Sequence, residues 1–557
     1  MIKKSTALIA VLVMLCFACN QEGRHSSQNS ISSMPPPPKS PPRSISSDSA
    51  PADNLAVQEV TISKFTPPVI AKDEEIKQED IDQVFNTEDY DNIVENKFLS
   101  SKQEPLSTFS IDVDEASYSN VRRYLLNGSL PPAGAVRIEE MINYFDYDYP
   151  QPQNGDPFSV VTEISECPWN NNHKLIHIGL QGKIIPLENL PNSNLVFLID
   201  VSGSMDEPNK LPLVQASLKM LTEQLRGQDK VAIVVYAGSA GLVLPSTNGS
   251  NKTKIKEAID NLQAGGSTAG GEGIRLAYKI AKENFIKGGN NRVILATDGD
   301  FNIGPSSDDA LIRWIEKERR SGVFLSVLGY GMGNYKDNKM QQLADKGNGN
   351  HSYIDNINEA KKVLVQEFGS TLFTIAKDVK IQVEFNPQKV QAYRLVGYEN
   401  RMLASEDFND DQKDAGELGS GHTVTALYEV IPVGVKDEFT KSVDALKYQT
   451  NRTINSNHSN EIITVKLRYK KPDEDVSKLI TKAVIDDHKS LASASDNFRF
   501  SAAVAEFGLL LRNSEFKENS SYQQVISLAK SAKGKDVNGY RSEFINLVSS
   551  TTSLAKN

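Results

Sequence analysis

At 557 residues the chain exceeds what one hydrophobic core sustains, and its length points to about three or four structural units. Its 39% hydrophobic and 24% charged residues are those of an ordinary globular protein. A formal net charge of −10, with no clustered Lys and Arg, argues against a nucleic-acid partner, and the one long apolar stretch lies at the extreme N-terminus, leaving no internal membrane span.

That N-terminal stretch reads as an export signal. Lys3 and Lys4 precede an apolar run from Ala7 to Phe17 that is too short to span a bilayer stably. Its end, Leu15-Cys16-Phe17-Ala18-Cys19, resembles a bacterial lipobox. The resemblance implies that residues 1–19 are a lipoprotein signal peptide and that Cys19 is acylated, anchoring the protein to a membrane of the cell envelope. The outer membrane of a Gram-negative bacterium is the expected location and the inner membrane the alternative; a plain cleaved signal or an uncleaved hydrophobic anchor is the competing reading of the segment. A lipidated Cys19 leaves Cys167 without a disulfide partner.

Residues 20–84 are rich in Ser, Pro, Gln and charge, with Pro35-Pro36-Pro37-Pro38 and Pro41-Pro42, and are expected to form a disordered tether. A flexible segment of that length has an end-to-end distance of about 40–45 Å, enough to hold the folded part clear of a membrane. From 85 to 190 the pattern predicts a small α+β unit. Phe109, Ile111 and Val113 alternate as in a half-buried strand; Tyr118, Val121 and Leu125, then Ile138, Met141, Ile142 and Phe145, make helical faces; Val160–Ile164 and Ile176–Leu180 alternate again. Asp112, Asp114 and Glu115 lack the glycine and later glutamate of a calcium loop and are read as the solvated face of a strand.

Residues 191–370 change to strand, helix, strand, helix. Leu195–Ile199, Val231–Tyr236, Val293–Ala296 and Val323–Leu328 are nearly continuous apolar runs, as parallel strands buried on both faces require. The stripes Val214, Leu218, Leu221, Leu225 and Ile274, Ala277, Tyr278, Ala281, Phe285 are the helices between them. The alternation predicts a doubly wound, mostly parallel sheet. Residues 371–475 turn to period two, with Val379 to Phe385, Val424 to Val430 and Ile463 to Tyr469, and predict a β-sandwich-like unit. Residues 476–557 are read as helical, from the stripes Phe500, Val504, Phe507, Leu511, then Tyr522, Val525, Ile526, Ala529, then Tyr540, Phe544, Leu547. The expected fold class is a multidomain α/β protein with the doubly wound unit at its centre.

Chemistry concentrates where the predicted central strand ends. Asp200-Val201-Ser202-Gly203-Ser204 puts one carboxylate and two hydroxyls at the sheet's carboxyl edge, where open α/β sheets place ligands, and Gly203 lets the backbone bend so that the serines converge. Thr268, on the loop Gly265-Gly266-Ser267-Thr268, and Asp298, directly after the strand Val293–Ala296, are expected at the same edge. Hard oxygens without His or Cys suit Mg²⁺, with Mn²⁺ or Ca²⁺ as alternatives. A plainer reading makes Asp200, Ser202 and Ser204 capping residues and the glycine run a turn. Asp300 is read as solvated, and Glu272 as favouring a helix N-terminus.

With this motif set, order and strand context, the segment resembles the von Willebrand factor A-type family and its metal-ion-dependent adhesion site. The resemblance implies that Ser202, Ser204 and Thr268 ligate the metal, that Asp200 and Asp298 act partly through water, and that an acidic side chain of a protein partner completes the coordination. The flanks, Ser107-Thr108-Phe109-Ser110-Ile111-Asp112-Val113-Asp114 with Val136 to Phe145, and Asn497-Phe498-Arg499-Phe500 onward, resemble a bacterial group of A-type proteins, many of them lipoproteins.

Catalysis fits the sequence less well. Ser202 and Ser204 lie in no G-x-S-x-G elbow, Gly265 to Gly273 lacks the G-K-[ST] of a phosphate-binding loop, and His177 and His351 are read as structural. The expectation is a non-enzymatic binding protein with no small-molecule substrate. A scaffold with a vestigial metal site, and a metal-dependent phosphatase or hydrolase with Asp200 as nucleophile, are the alternatives.

Overall fold

The structure is a computed structural model and describes residues 88–153, 155–266, 270–299, 308–333, 335–367, 373–413, 415–440 and 460–555. Cys19 with the rest of the signal and tether, and Thr268 and Asp300 of the candidate edge, lie outside the described residues.

The chain begins with short strands β1 (Leu99–Ser100) and β2 (Leu106–Ser110), helices α1 (Ala116–Leu126) and α2 (Ile138–Asn143), and a long hairpin of β3 (Phe158–Cys167) and β4 (Asn170–Gly182). The doubly wound unit follows. Its elements are β5 (Ser193–Asp200), α3 (Leu211–Gln224), β6 (Lys230–Tyr236), β7 (Ala240–Asn248), α4 (Lys252–Asp260) and α5 (Gly270–Glu283). Then come β8 (Asn290–Thr297), α6 (Asp308–Arg319), β9 (Val323–Tyr330), α7 (Asp337–Lys346), β10 (His351–Ile354) and α8 (Ile357–Lys361), which runs on as a π-helical turn to Gln366. Strands β11 (Thr374–Phe385), β12 (Val390–Val396), β13 (Met402–Leu403), β14 (Gly416–Gly419), β15 (Thr423–Pro432), β16 (Glu461–Lys470) and β17 (Lys478–Ile485) precede the last helices, α9 (Asp496–Arg512), α10 (Tyr522–Ser531) and α11 (Tyr540–Leu554).

The central sheet has the order β10-β9-β8-β5-β6-β7, parallel except for β7 at its edge. Every residue of β5 and β8 is buried, because helices cover both faces. Phe197 and Ile199 pack on one side with Val214, Leu218 and Leu221 of α3. Val196 and Leu198 pack on the other with Ile274, Ala277 and Tyr278 of α5. Each such Val, Leu, Ile or Phe side chain contributes about 1.5–3 kcal/mol by leaving water. Beside β5 the chain winds outward in both directions, to β6 and to β8, which opens a crevice at the carboxyl ends of these strands.

The expected division of the flanks into an N-terminal α+β unit and a separate β-rich unit is corrected by the strand pairing. One sheet runs β1-β12-β15-β4-β3 and the other β13-β2-β11-β16-β17, so each mixes strands from before and after the doubly wound unit. Phe109 of β2 pairs with Ile381 of β11, and His177 of β4 with Leu427 of β15. Strands of the two flanks are neighbours in both sheets, and together they form a sandwich whose core joins Phe109, Ile111, Ile176 and Ile178 to Val379, Ile381, Tyr428 and Val465. The doubly wound unit is thus an insertion between β4 and β11. The outer face of the first sheet, through Leu175, Val396 and Leu427, is covered by α2 and α9 to α11, where Met141, Phe145, Phe500, Phe507 and Phe544 form a second core.

Two smaller expectations also change. Residues after Glu474 do not turn helical at once: Lys478–Ile485 is edge strand β17, paired with β16, and most of it is exposed, so it carries little buried alternation in sequence. Asp112 and Asp114 are not on a solvated face. Both ion-pair with Arg401, at 3.0 and 3.1 Å, and Asp114 is 2% exposed and also accepts the His351 amide at 2.8 Å. Among the described residues no helix is long and apolar enough to cross a membrane, and Cys167 is a buried free thiol.

Candidate functional site

Strand β5 ends at Asp200 and β8 at Thr297, on adjacent parallel strands in register from Ser193↔Asn290 to Ile199↔Ala296. The turns that follow therefore emerge side by side. Asp200 and Asp298 are both fully buried, Ser202 is 3% exposed, and Ser204 faces solvent. The Ser202 amide donates to Asp200 Oδ1 at 2.9 Å, while Asp200 Oδ2 accepts from Tyr236 at 3.0 Å and from Thr297 Oγ1 at 3.3 Å. Burial pushes the Asp200 carboxyl up to about 6; the Ser202 amide opposes that shift and the neighbouring Asp298 adds to it. The hydroxyls of Ser202 and Ser204 lie 3.0 Å apart, as the bend at Gly203 requires.

Backbone pairing fixes the loops to one another. The Gly265 amide donates to the Val201 carbonyl at 2.7 Å and the Gly203 amide to the Gly266 carbonyl at 3.1 Å, so the chain is held against the serine loop two residues before Thr268. Gly266 and Gly299 have φ of +90° and +97°, and a Cβ on Gly299 would lie 2.8 Å from the Cα of Tyr335. The structure thus brings Asp200, Ser202, Ser204 and Asp298 to one edge. Glu272 sits in the first turn of α5.

Three participants escape a reading of the motif. Tyr236 and Thr297 hold Asp200, and each is the last residue of an apolar strand beside it. Lys210 is the third: it is 4% exposed, and its ammonium donates to Asp298 Oδ2 at 3.2 Å and to the Ser204 carbonyl at 3.0 Å. Its methylenes cross Gly331, where a Cβ would lie 2.5 Å from Lys210 Cε. Nothing in sequence distinguishes this lysine from a solvated one.

The edge fits a hard cation. Two carboxylates and two hydroxyls offer oxygen donors only, and the site already draws an ammonium to Asp298. Among the described residues no group of three or more His, Cys, Asp or Glu side chains is arranged to hold a metal, so this donor set, with its two carboxylates and serine hydroxyls, is leaner than that. His177 and His351 lie elsewhere in hydrogen-bonded cores: His177 bonds Tyr149 at 2.8 Å and His351 bonds Tyr335 at 2.5 Å, and burial pulls both down to about 4.

Comparison with known proteins divides the chain in three. Residues 84–177 match the family model for von Willebrand factor, residues 194–366 that for the von Willebrand factor type A domain, and residues 370–554 that for the C-terminal region of the uncharacterized protein YfbK. Uncharacterized protein YfbK of Escherichia coli (strain K12) is 46% identical over 467 residues, 82% of this chain and 80% of that one. A UPF0353 protein of Mycolicibacterium paratuberculosis is 27% identical over 194 residues, 30% of this chain and 57% of that one. Among solved structures, a von Willebrand factor type A protein from Catenulispora acidiphila is 16% identical, with 70% of this chain and 90% of that chain covered at a TM-score of 0.37.

Proposed function

This chain belongs to the YfbK family and contains a von Willebrand factor type A domain, and on that premise we propose that it is a cell-envelope protein that binds a protein partner through a divalent metal held at the edge formed by Asp200, Ser202, Ser204 and Asp298. The observation that carries this reading is the convergence of those four residues on two adjacent strand ends, with Asp200 fastened by Ser202, Tyr236 and Thr297. Thr268 is assigned to the same site from its place in the motif. Mg²⁺ is the expected ion, with Mn²⁺ or Ca²⁺ as alternatives. When bound, the cation supplies an open coordination position for a partner's carboxylate. The protein's own groups orient the serine hydroxyls and keep Asp200 in place, and the reading gives the site no catalytic residue.

Calorimetric titration with Mg²⁺ tests the metal, and a pull-down from envelope extract with Mg²⁺ or chelator tests the partner. Asp200→Ala is expected to abolish Mg²⁺ binding while leaving the sheet paired, because it removes a strand-end carboxylate and its hydrogen bonds from Ser202, Tyr236 and Thr297 and not apolar core packing. Unchanged affinity in that variant refutes the site. A structural or vestigial site is the second reading, favoured by Lys210, whose ammonium is a built-in cation at Asp298; identical catches with and without Mg²⁺ support it. Anchoring through acylated Cys19 is the remaining part of the proposal, and it predicts palmitate labelling that Cys19→Ser removes.

A further inference from the structure

At the opposite edge of the same sheet, the A-type domain and the sandwich border an open cavity of about 540 Å³, lined in part by Arg292, Arg319, Asn348, Arg401 and Glu417. Arg292 stands near the start of β8 and Asp298 just past its end, six residues on, so this cavity is about 20 Å from the metal edge along the strand.

Arg292 is 2% exposed. The other deeply buried arginines each hold a carboxylate: Arg122 holds Asp355 at 2.5 Å, Arg137 Asp337 at 3.0 Å, Arg394 Glu429 at 2.6 Å, Arg401 Asp345 at 2.9 Å and Arg512 Glu399 at 2.6 Å. Arg292 has none. Its Nη1 donates to the neutral hydroxyl of Ser326 at 2.6 Å, its Nε has no acceptor, and burial pulls its pKa down to about 10. A guanidinium removed from water without a counter-ion is strongly destabilising, so a protein that retains one at a cavity wall leaves room for an anion.

None of the cavity's acidic groups is within ion-pair distance of Arg292. Asp112, Asp114 and Asp345 all face Arg401, Glu115 and Glu367 bind Lys362, Glu316 lies 3.9 Å from Arg319, and Glu417, whose charge acts on Arg292 from farther off, accepts from Asn348 at 3.2 Å and Thr374 at 2.6 Å. Arg319, in the same lining, donates to Asn348 at 2.7 Å, lies 3.9 Å from Glu316 and adds a second guanidinium. Two guanidiniums with a volume well above that of a single ion suit a planar or tetrahedral oxyanion carried on a larger body.

We propose that this cavity binds a small molecule bearing a carboxylate or phosphate, with the oxyanion seated on Arg292 and Arg319. The site is independent of the metal edge and of any partner bound there.

The test is thermal melting of the full chain in chelator with inorganic phosphate, with citrate, or with chloride at matched ionic strength. Phosphate or citrate raises the melting temperature above chloride; a response to phosphate alone assigns a phosphate ester, and a response to citrate alone a carboxylate. Arg292→Met melts no lower than wild type without anion and loses the response, and Arg319→Gln weakens the apparent affinity about tenfold, the effect of one lost charge-assisted contact. Asp200→Ala keeps the full response. The proposal is overturned if neither anion exceeds chloride, if Arg292→Met responds like wild type, or if Asp200→Ala removes the response. Should Arg292→Met fail to fold, an undiminished response in Arg319→Gln overturns it equally.

Discussion

Replacing Arg122 by Leu is expected to cost about 3–5 kcal/mol of unfolding free energy, the usual effect of breaking a buried ion pair from one side. Arg122 lies on α1 at 2% exposure and binds the segment that ends the A-type domain, with Asp355 at 2.5 Å and Glu359 at 2.7 Å, whose side chains are 6% and 1% exposed. Its third carboxylate, Glu543, is 40% exposed and adds little. The loss is not doubled by the second buried acid, because each carboxylate keeps another donor: Glu359 accepts from Tyr144 at 2.7 Å and Asp355 from Asn356 at 2.9 Å. Denaturant unfolding at neutral pH measures the difference. The pH dependence supplies the sign check. Burial raises the Asp355 carboxyl and Arg122 opposes the shift, so without the guanidinium the folded variant takes up protons that the unfolded chain releases. Its deficit therefore shrinks as pH falls toward the ordinary carboxylate range. A loss below about 1 kcal/mol, the scale of an exposed pair, or a deficit that grows on acidification, refutes the reasoning.

Lys210→Met should bind Mg²⁺ about tenfold more tightly by calorimetry, since it removes a like charge from Asp298; weaker binding shows instead that the lysine builds the site. Burial pushes Glu506 up to about 8, so its folded form stays protonated where the unfolded chain ionises. Its contribution is fully present in acid and is lost as pH rises from the ordinary carboxylate range through about 8, and Glu506→Gln should flatten that part of a melting-temperature profile and melt above wild type at higher pH. An unchanged slope removes Glu506 from the account. Gly299→Ala, which sets a Cβ against the Tyr335 backbone at a φ of +97°, should cost about 1 kcal/mol or more and weaken Mg²⁺ binding through Asp298, and an unaltered melting curve contradicts the contact.

The doubly wound domain was legible because its strands are buried on both faces. Leu195 to Ile199 and Val293 to Ala296 have to be continuous apolar runs, and the chemistry sits where those runs stop. The edge residues carried their meaning in local order, Asp200 with Ser202 and Ser204 and then Asp298. The sandwich was not legible as one body. Phe109 and Ile381 each alternate with polar neighbours, as any half-buried strand does, and nothing in that period names the partner strand. Lys210 and Arg292 were hidden for a related reason: whether a cation is solvated, paired or stranded depends on groups brought to it by distant segments, Asp298 in one case and Ser326 in the other.

The insertion of the A-type domain also sets a schedule. The Gln382 side chain bonds Thr108 across 274 residues of sequence, so β2 leaves the ribosome long before its neighbour β11 exists. At about 5–20 residues per second that interval is roughly 15–55 s, during which the edges of β2 and of the β3–β4 hairpin lack the strands that later cover them. The A-type domain, whose strands pair among themselves, completes within that interval. Closing of the sandwich then waits for β11 to β17, which makes the partly made chain, rather than the finished one, the form most exposed to misassociation.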